Sequence, residues 1–294
     1  MTVVAVCSLS GAPGVTSLAT AMAAAWPSGV LTVPVLVEAD ASGGDIAAWH
    51  GMNAGSSRKG LVSLAAASRS SVPADTSMTV TLNESSGESG HHPLLRHAIE
   101  LPGGLRVVAA SPDPLEAGHA VDALARNPGL LKSGRATVVD VGRAVPGSAG
   151  ATLLRHADTV VVLSQAGQVE QAERLRVCAP VLASLRQDGV RIGLAITGAC
   201  PHTDGEVSEV AGGLPVWARI PHDPTGAGLV RGEHHPPQRL RDRVAAWRAQ
   251  RRDPDSLEWV PFIKSAKTLS ELCDDFEGLG LGAEKRRVLE VQAA

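Results

Sequence analysis

The sequence predicts an α/β fold: a doubly wound, mostly parallel sheet flanked by helices. Apolar runs rich in Val, Leu and Ile recur along the chain, and helical stretches separate most of them. The runs are continuous rather than alternating, which is the pattern of strands covered on both faces. At 294 residues, with 44% hydrophobic and 19% charged, the chain is long enough to bury such a sheet.

Taken in order, Val3 to Cys7 reads as the first buried strand, Ser8 to Ser17 as a glycine-containing loop, and Leu18 to Trp26 as an Ala-rich helix. Strand, loop and helix in that sequence make a phosphate-binding corner, because the free N–H groups of the helix's first turn face the loop. Set against the P-loop pattern G-x-x-x-x-G-K-[ST], Gly14 is the second glycine and Thr16 the hydroxyl. The lysine position holds Val15, and the first glycine position holds Leu9 or Ser10. Pro13 brings no backbone donor. The loop keeps its shape and loses its charge.

Val33 to Asp40 is a second strand, in which Glu38 and Asp40 alternate and so share a face. Because parallel strands present ligand-binding residues at their carboxyl ends, Asp40 is expected beside the loop at Gly11 to Ser17. Ser42 to Asp45 turns into a short helix through Trp49, and Ser57 to Gly60 leads into a helix over Leu61 to Ser68. Residues 70 to 92 are rich in Ser, Thr, Gly, Asn and Glu and read as a surface excursion, with an edge strand at Met78 to Leu82. Leu105 to Ala110 is a strand, Ser111 to Pro114 a turn and Leu115 to Arg126 a helix.

Arg135 to Arg143 is an apolar strand that ends in Asp140, Val141 and Gly142, the look of a Walker B segment whose carboxylate holds magnesium through water. Alone, an Asp at a strand end is ordinary; beside the other two corners it is informative. The alternation continues through a helix at Gly150 to His156, a strand at Thr159 to Leu163, a helix at Gln168 to Arg186 and a strand at Arg191 to Thr197. A helix at Glu206 to Ala211 and a strand at Pro215 to Ile220 complete it. We divide the chain into an α/β domain over residues 1–252 and a C-terminal extension over 253–294, docked or partner-binding. Arg239 to Arg252 reads as a helix with six arginines against Asp242, with Leu240, Val244 and Trp247 on one stripe. Two readings stay open for it: contact with an anionic membrane or DNA, or a terminal helix with its arginines in water.

A formal charge of -3 gives no global attraction to nucleic acid. Cys7, Cys178, Cys200 and Cys273 show no C-x-x-C spacing and are expected to be free thiols. No run approaches the roughly 18 apolar residues of a membrane-spanning helix, and residues 1–7 lack a basic leader, so a cytoplasmic location is expected, with peripheral membrane contact left open.

Ser10 to Ser17, Val37 to Asp45 and Val138 to Arg143 together resemble the three signature segments of the ParA/MinD family, P-loop ATPases with a deviant Walker A motif that position plasmids, chromosomes, division sites and pili. Val160 to Gln165 and Ile220 to Pro224, followed by Leu229 to Gly232, are similar to the family's later strand and nucleotide-base loop. The resemblance covers about residues 1–250. It implies ATP and Mg2+ as cofactors, with Gly11, Ala12, Pro13, Gly14, Val15, Thr16 and Ser17 around the phosphates and Pro221 and Asp223 lining the base pocket. Thr16 and Asp140 would be metal ligands, and Asp40 the catalytic switch acid near the attacking water. It further implies a homodimer and a protein partner in a positioning or secretion machine. The departures are Ser10 at the family's signature lysine and Val15 at the Walker lysine, which point to weak or lost hydrolysis and weakened nucleotide binding. Arg58, Lys59 and Arg143 are the candidate replacement cations. Two other readings are an active partitioning ATPase and a small-molecule ATP-dependent enzyme on the same fold.

Overall fold

The computed structural model describes residues 2–11, 13–27, 34–52, 59–70, 93–132, 136–233, 257 and 259–274. In chain order the elements are β1 (Val3–Ser8), α1 (Val15–Ala24), β2 (Val35–Glu38), α2 (Ile46–Trp49), α3 (Leu61–Ser70), α4 (Pro93–His97), β3 (Ile99–Glu100), β4 (Arg106–Val108) and α5 (Pro114–Arg126). They continue with β5 (Thr137–Arg143), α6 (Ala149–Arg155), β6 (Thr159–Ser164), α7 (Val169–Gln187), β7 (Arg191–Thr197), α8 (Asp204–Val210), β8 (Val216–Ile220), α9 (Pro224–Val230) and α10 (Pro261–Asp274). The strands form one 8-stranded sheet in the order β3-β4-β2-β5-β1-β6-β7-β8. Every pairing is parallel except that of β3 with β4 at the edge.

The continuous apolar strands divide their side chains between two cores with a period of two, as pleating requires. From β1, Val3, Ala5 and Cys7 enter one core with α3, α5, α6 and α7, whereas Val4 and Val6 enter the other with α1, α2 and α10. The same division separates Val139 and Val141 from Val138 in β5, and Val160 and Val162 from Val161 and Leu163 in β6. The sheet is doubly wound, as the sequence predicts, and β1 sits at its centre with β5 and β6 on either side.

The helix α10 lies in the segment read from sequence as an extension, and it contributes to a core. Phe262, Ala266, Leu269 and Cys273 are buried in the same cluster as Leu18 and Met22 of α1. The Ser270 hydroxyl donates to the Met22 carbonyl at 2.9 Å, and Nη2 of Arg191 donates to the Leu272 carbonyl at 2.7 Å. Pro93–His97 and Ile99–Glu100 are elements that sequence periodicity missed, being too short to carry a period. The predicted strand at Met78 to Leu82 and the Arg239 to Arg252 helix lie outside the described residues. Among the described residues no helix is long and apolar enough to cross a membrane.

Candidate functional site

The strand–loop–helix corner forms at the carboxyl end of β1. Gly11 and Gly14 take left-handed backbone angles, φ 57° and 96°, which lets the chain leave the strand and enter α1 in a tight loop. The Ser8 hydroxyl donates to the Gly11 carbonyl at 3.1 Å and braces that loop from inside. The first helical hydrogen bond runs from Leu18 N–H to the Gly14 carbonyl, and no side chain caps the helix. The N–H groups of Val15, Thr16 and Ser17 therefore stand at the positive end of the helix dipole without an intrahelical partner, an arrangement that suits an anion. Helix α1 starts three residues earlier than the sequence reading places it, so these residues belong to its first turn.

The two positions that lack lysine are filled differently. Val15 is 4% exposed and packs into the α1 core. Ser10 is buried, and its hydroxyl donates to Oε1 of Gln171 in α7, closing the loop from outside.

Three acids gather at the ends of β2 and β5, and their environments separate them. Glu38 is 1% exposed; its Oε1 accepts from the N–H groups of Asp45 and Ile46 at 2.8 and 3.0 Å, and its Oε2 from Ala110 N–H at 2.9 Å. Burial raises its pKa more than those three donors lower it. Glu38 thus knits the turn before α2 to the end of β4, and does not share a ligand face with Asp40 as strand alternation predicts. The strand ends at Glu38, and Asp40 follows in a turn where its Oδ1 accepts from the Ser42 N–H at 2.8 Å and the Ser42 hydroxyl at 2.6 Å. Asp140 is fully buried, and its Oδ1 accepts from Gly142 N–H at 2.9 Å. Its Oδ2 has no hydrogen-bond partner among the described residues. Burial first, with Glu38 and Asp40, raises the carboxyl to about 7 against the lowering influence of the Thr16 hydroxyl and the Gly142 N–H. The same surroundings leave Cys7 an inert thiol, pushed to about 12 by burial and then by Asp140.

A bulge shapes the end of β5. Val6 pairs with Asp140, Cys7 with Gly142 and Ser8 with Arg143, so Val141 is the extra residue. Gly142 has φ 62°, and a Cβ there would lie 1.9 Å from Oδ2 of Asp40. For Gly142→Ala we expect a loss of about 1–2 kcal/mol from the left-handed backbone, together with displacement of Asp40 and its bonds to Ser42. Urea unfolding measures the first effect, and carboxyl resonances of Asp40 followed by NMR measure the second.

These segments surround a cleft of about 740 Å³, lined among others by Gly11, Gly14, Val15, Thr16, Ser17, Asp40, Asp45, Gly142 and Arg143. Asp140 lies beneath it, one residue before Val141 in the lining. Arg143 is the one basic side chain among the described lining residues. Pro13 lies outside the lining, and Ala12 outside the described residues. Pro221 and Asp223 are not among the residues that line this cleft. Asp223 caps α9, its Oδ1 accepting from Gly226 N–H at 3.0 Å and its Oδ2 from Phe262 N–H at 3.2 Å. Its carboxylate thus fastens α10 to α9.

A magnesium–nucleotide complex fits this chemistry. Among the described residues no group of three or more His, Cys, Asp or Glu side chains forms a metal cage. Mg2+ needs no such cage where it is held by one or two carboxylates, a hydroxyl, waters and phosphates. The unpartnered Oδ2 of Asp140 and the nearby Thr16 hydroxyl supply the protein's share of such a shell.

No protein-family profile matches the chain, and no curated protein matches it. Solved structures do. A ParA family ATPase from Chlorobium tepidum TLS superposes with a TM-score of 0.61 at 16% identity, over 92% of this chain and 98% of that one. The septum site-determining protein MinD in complex with Mg-ADP from Pyrococcus horikoshii OT3 gives 0.59 at 13% identity, over 95% and 98%. Cobyrinic acid a,c-diamide synthase from Mycobacterium smegmatis, with an ATP analogue and magnesium, gives 0.51 at 17% identity, over 79% and 92%. With an 8-stranded, mostly parallel sheet covered by helices on both faces, this chain has the ParA/MinD-like P-loop fold.

Proposed function

We propose that this protein binds a magnesium–nucleotide complex in the cleft and hydrolyses it slowly or not at all. In this reading it serves the spatial positioning or assembly of a polar or membrane-associated machine, of the pilus, secretion, conjugation or division type. The observation that carries the reading is the loop between β1 and α1, which enters the helix through a left-handed Gly14 but has buried Val15 and the Ser10–Gln171 contact where the resemblance calls for two lysines. Phosphoryl transfer depends on positioning and on countering charge, and losing one well-placed donor commonly costs about 10²–10³ in rate. Backbone N–H groups at the α1 terminus still attract phosphate.

Thr16 and Asp140 are the proposed magnesium ligands, and Asp40 the residue that orients the attacking water. A magnesium ion held by these residues would offset the charge of the phosphate oxygens. A second copy of this chain and a protein of the positioned machine are the proposed partners; the arginines of residues 239–252 are a proposed contact to membrane or DNA. The purified full chain is to be titrated with Mg-ATP and Mg-ADP by calorimetry, with phosphate release followed in parallel. Binding with turnover far below that of a working ParA ATPase assayed alongside is expected. Turnover equal to that control overturns the reading in favour of a partitioning ATPase, for which Asp40→Ala abolishes phosphate release. The likeness to cobyrinic acid a,c-diamide synthase supports a small-molecule enzyme as the other reading, tested by a metabolite screen on thermal stability.

A further inference from the structure

Arg143 is exposed at the end of β5 and lines the cleft. Among the described residues it makes no ion pair with the acids around it, although Asp40 and Asp45 line the same cleft. The bulge at Val141 decides where it points. In a regular strand, residues three apart fall on opposite faces, so Asp140 and Arg143 would be separated by the sheet. With Val141 inserted, Asp140 pairs with Val6 and Arg143 with Ser8, and Val6 and Ser8 lie on one face of β1. That face is the α1 side, since Val6 and Val138 enter the core built around α1. Ser8 is also the last residue of β1, so Arg143 stands beside the start of the phosphate loop. Its following residue is pinned there as well, Ala144 N–H donating to the Ser8 carbonyl at 2.8 Å.

We infer that Arg143 is the phosphate-binding cation of this site, supplied across the sheet from β5 in place of the lysine that the loop lacks. The inference rests on the reading of the cleft as a nucleotide site. A guanidinium suits the role because it stays charged in any environment and presents a planar fork to phosphate oxygens. Its anchor is covalent to Gly142, whose left-handed backbone accommodates the Asp40 carboxylate, so one turn sets both the acid and the base of the cleft.

The test is calorimetric titration of the full chain, and of its Arg143→Ala, Arg143→Gln and Arg143→Lys variants, with Mg-ATP at low and moderate salt. The Ala and Gln variants are expected to bind about tenfold to a hundredfold more weakly than the parent, the range for a hydrogen bond to a charged group. The Lys variant is expected to recover most of the loss. All three are expected to melt with the parent in the absence of nucleotide, because an exposed side chain without partners contributes little to stability. Parent and Arg143→Ala binding Mg-ATP equally well overturns the role of Arg143 and leaves the nucleotide site standing. A parent that binds no Mg-ATP overturns the nucleotide reading and the inference with it.

Discussion

Equilibrium unfolding of the ligand-free protein is expected to lose about 4 kcal/mol of stability between about pH 4 and pH 8 through Asp140 alone. The buried carboxyl titrates at about 7 in the fold against 3.8 in an ordinary setting. A raised folded-state pKa means that the native protein holds the proton more tightly than the unfolded chain does. The contribution is therefore full below about pH 4 and is lost as pH rises through 7. Glu38, also raised by burial, acts in the same direction. Asp140→Asn cannot ionise, and we expect it to flatten most of this slope and to be more stable than the parent at pH 7.5. On the proposed reading of the cleft, the same variant is expected to lose magnesium-dependent nucleotide binding, a gain in stability at the expense of binding. Urea denaturation at a series of pH values, with and without Mg-nucleotide, reads both effects. A profile that is flat from about pH 4 to pH 8 in the parent would show that the carboxyl is not held in the way described.

Glu38→Ala is expected to cost about 3–5 kcal/mol, the sum of leaving the N–H groups of Ile46 and Ala110 unpaired in the interior and that of Asp45 partly so. The effect reaches further than the count of bonds. Gly44 comes so close that a Cβ on it would lie 2.5 Å from Oε2 of Glu38 and 2.8 Å from the Ala110 carbonyl oxygen, so the turn is wrapped tightly around this one carboxylate. Without it, the segment from Asp40 to α2 loses its attachment to β4, and Asp40 loses its fixed place in the cleft. Glu38→Gln keeps one acceptor oxygen and turns an amide against a donor, so an intermediate loss is expected. Denaturant midpoints give the order of the three proteins, and faster amide exchange at Ile46 and Ala110 locates the damage. Equal stability of Glu38→Ala and the parent would remove the structural role assigned to this residue.

Much of the architecture follows from local pattern. The continuous apolar runs announce a sheet covered on both sides, and Gly14 followed by Thr16 marks the turn into α1. Pairings made by distant residues do not show in such patterns. Alternation groups Glu38 with Asp40, but the partner that turns Glu38 inward is Ala110, 72 residues away. The sequence names Arg143 only as one of three candidate cations, because a bulge is a relation between two strands and β1 is needed to define it. Lys59, another of the three, is absent from the cleft lining, and Arg58 lies outside the described residues. Asp223, a short carboxylate before a proline, is legible in the sequence as a helix cap. What takes up its second oxygen is the Phe262 N–H, 39 residues on.

The placement of α10 against α1 sets a timetable for biosynthesis. The Leu269 and Ser270 that cover Leu18 and Met22 are made some two hundred and fifty residues after them, as the separation of 248 between Ser270 and Met22 records. At a translation rate of roughly 5–20 residues per second, the apolar flank of the first helix waits on the order of ten seconds or more for its cover. Over that interval Leu18 and Met22 lack the cover that α10 gives them in the folded protein, and a chain ending before α10 is expected to leave them exposed.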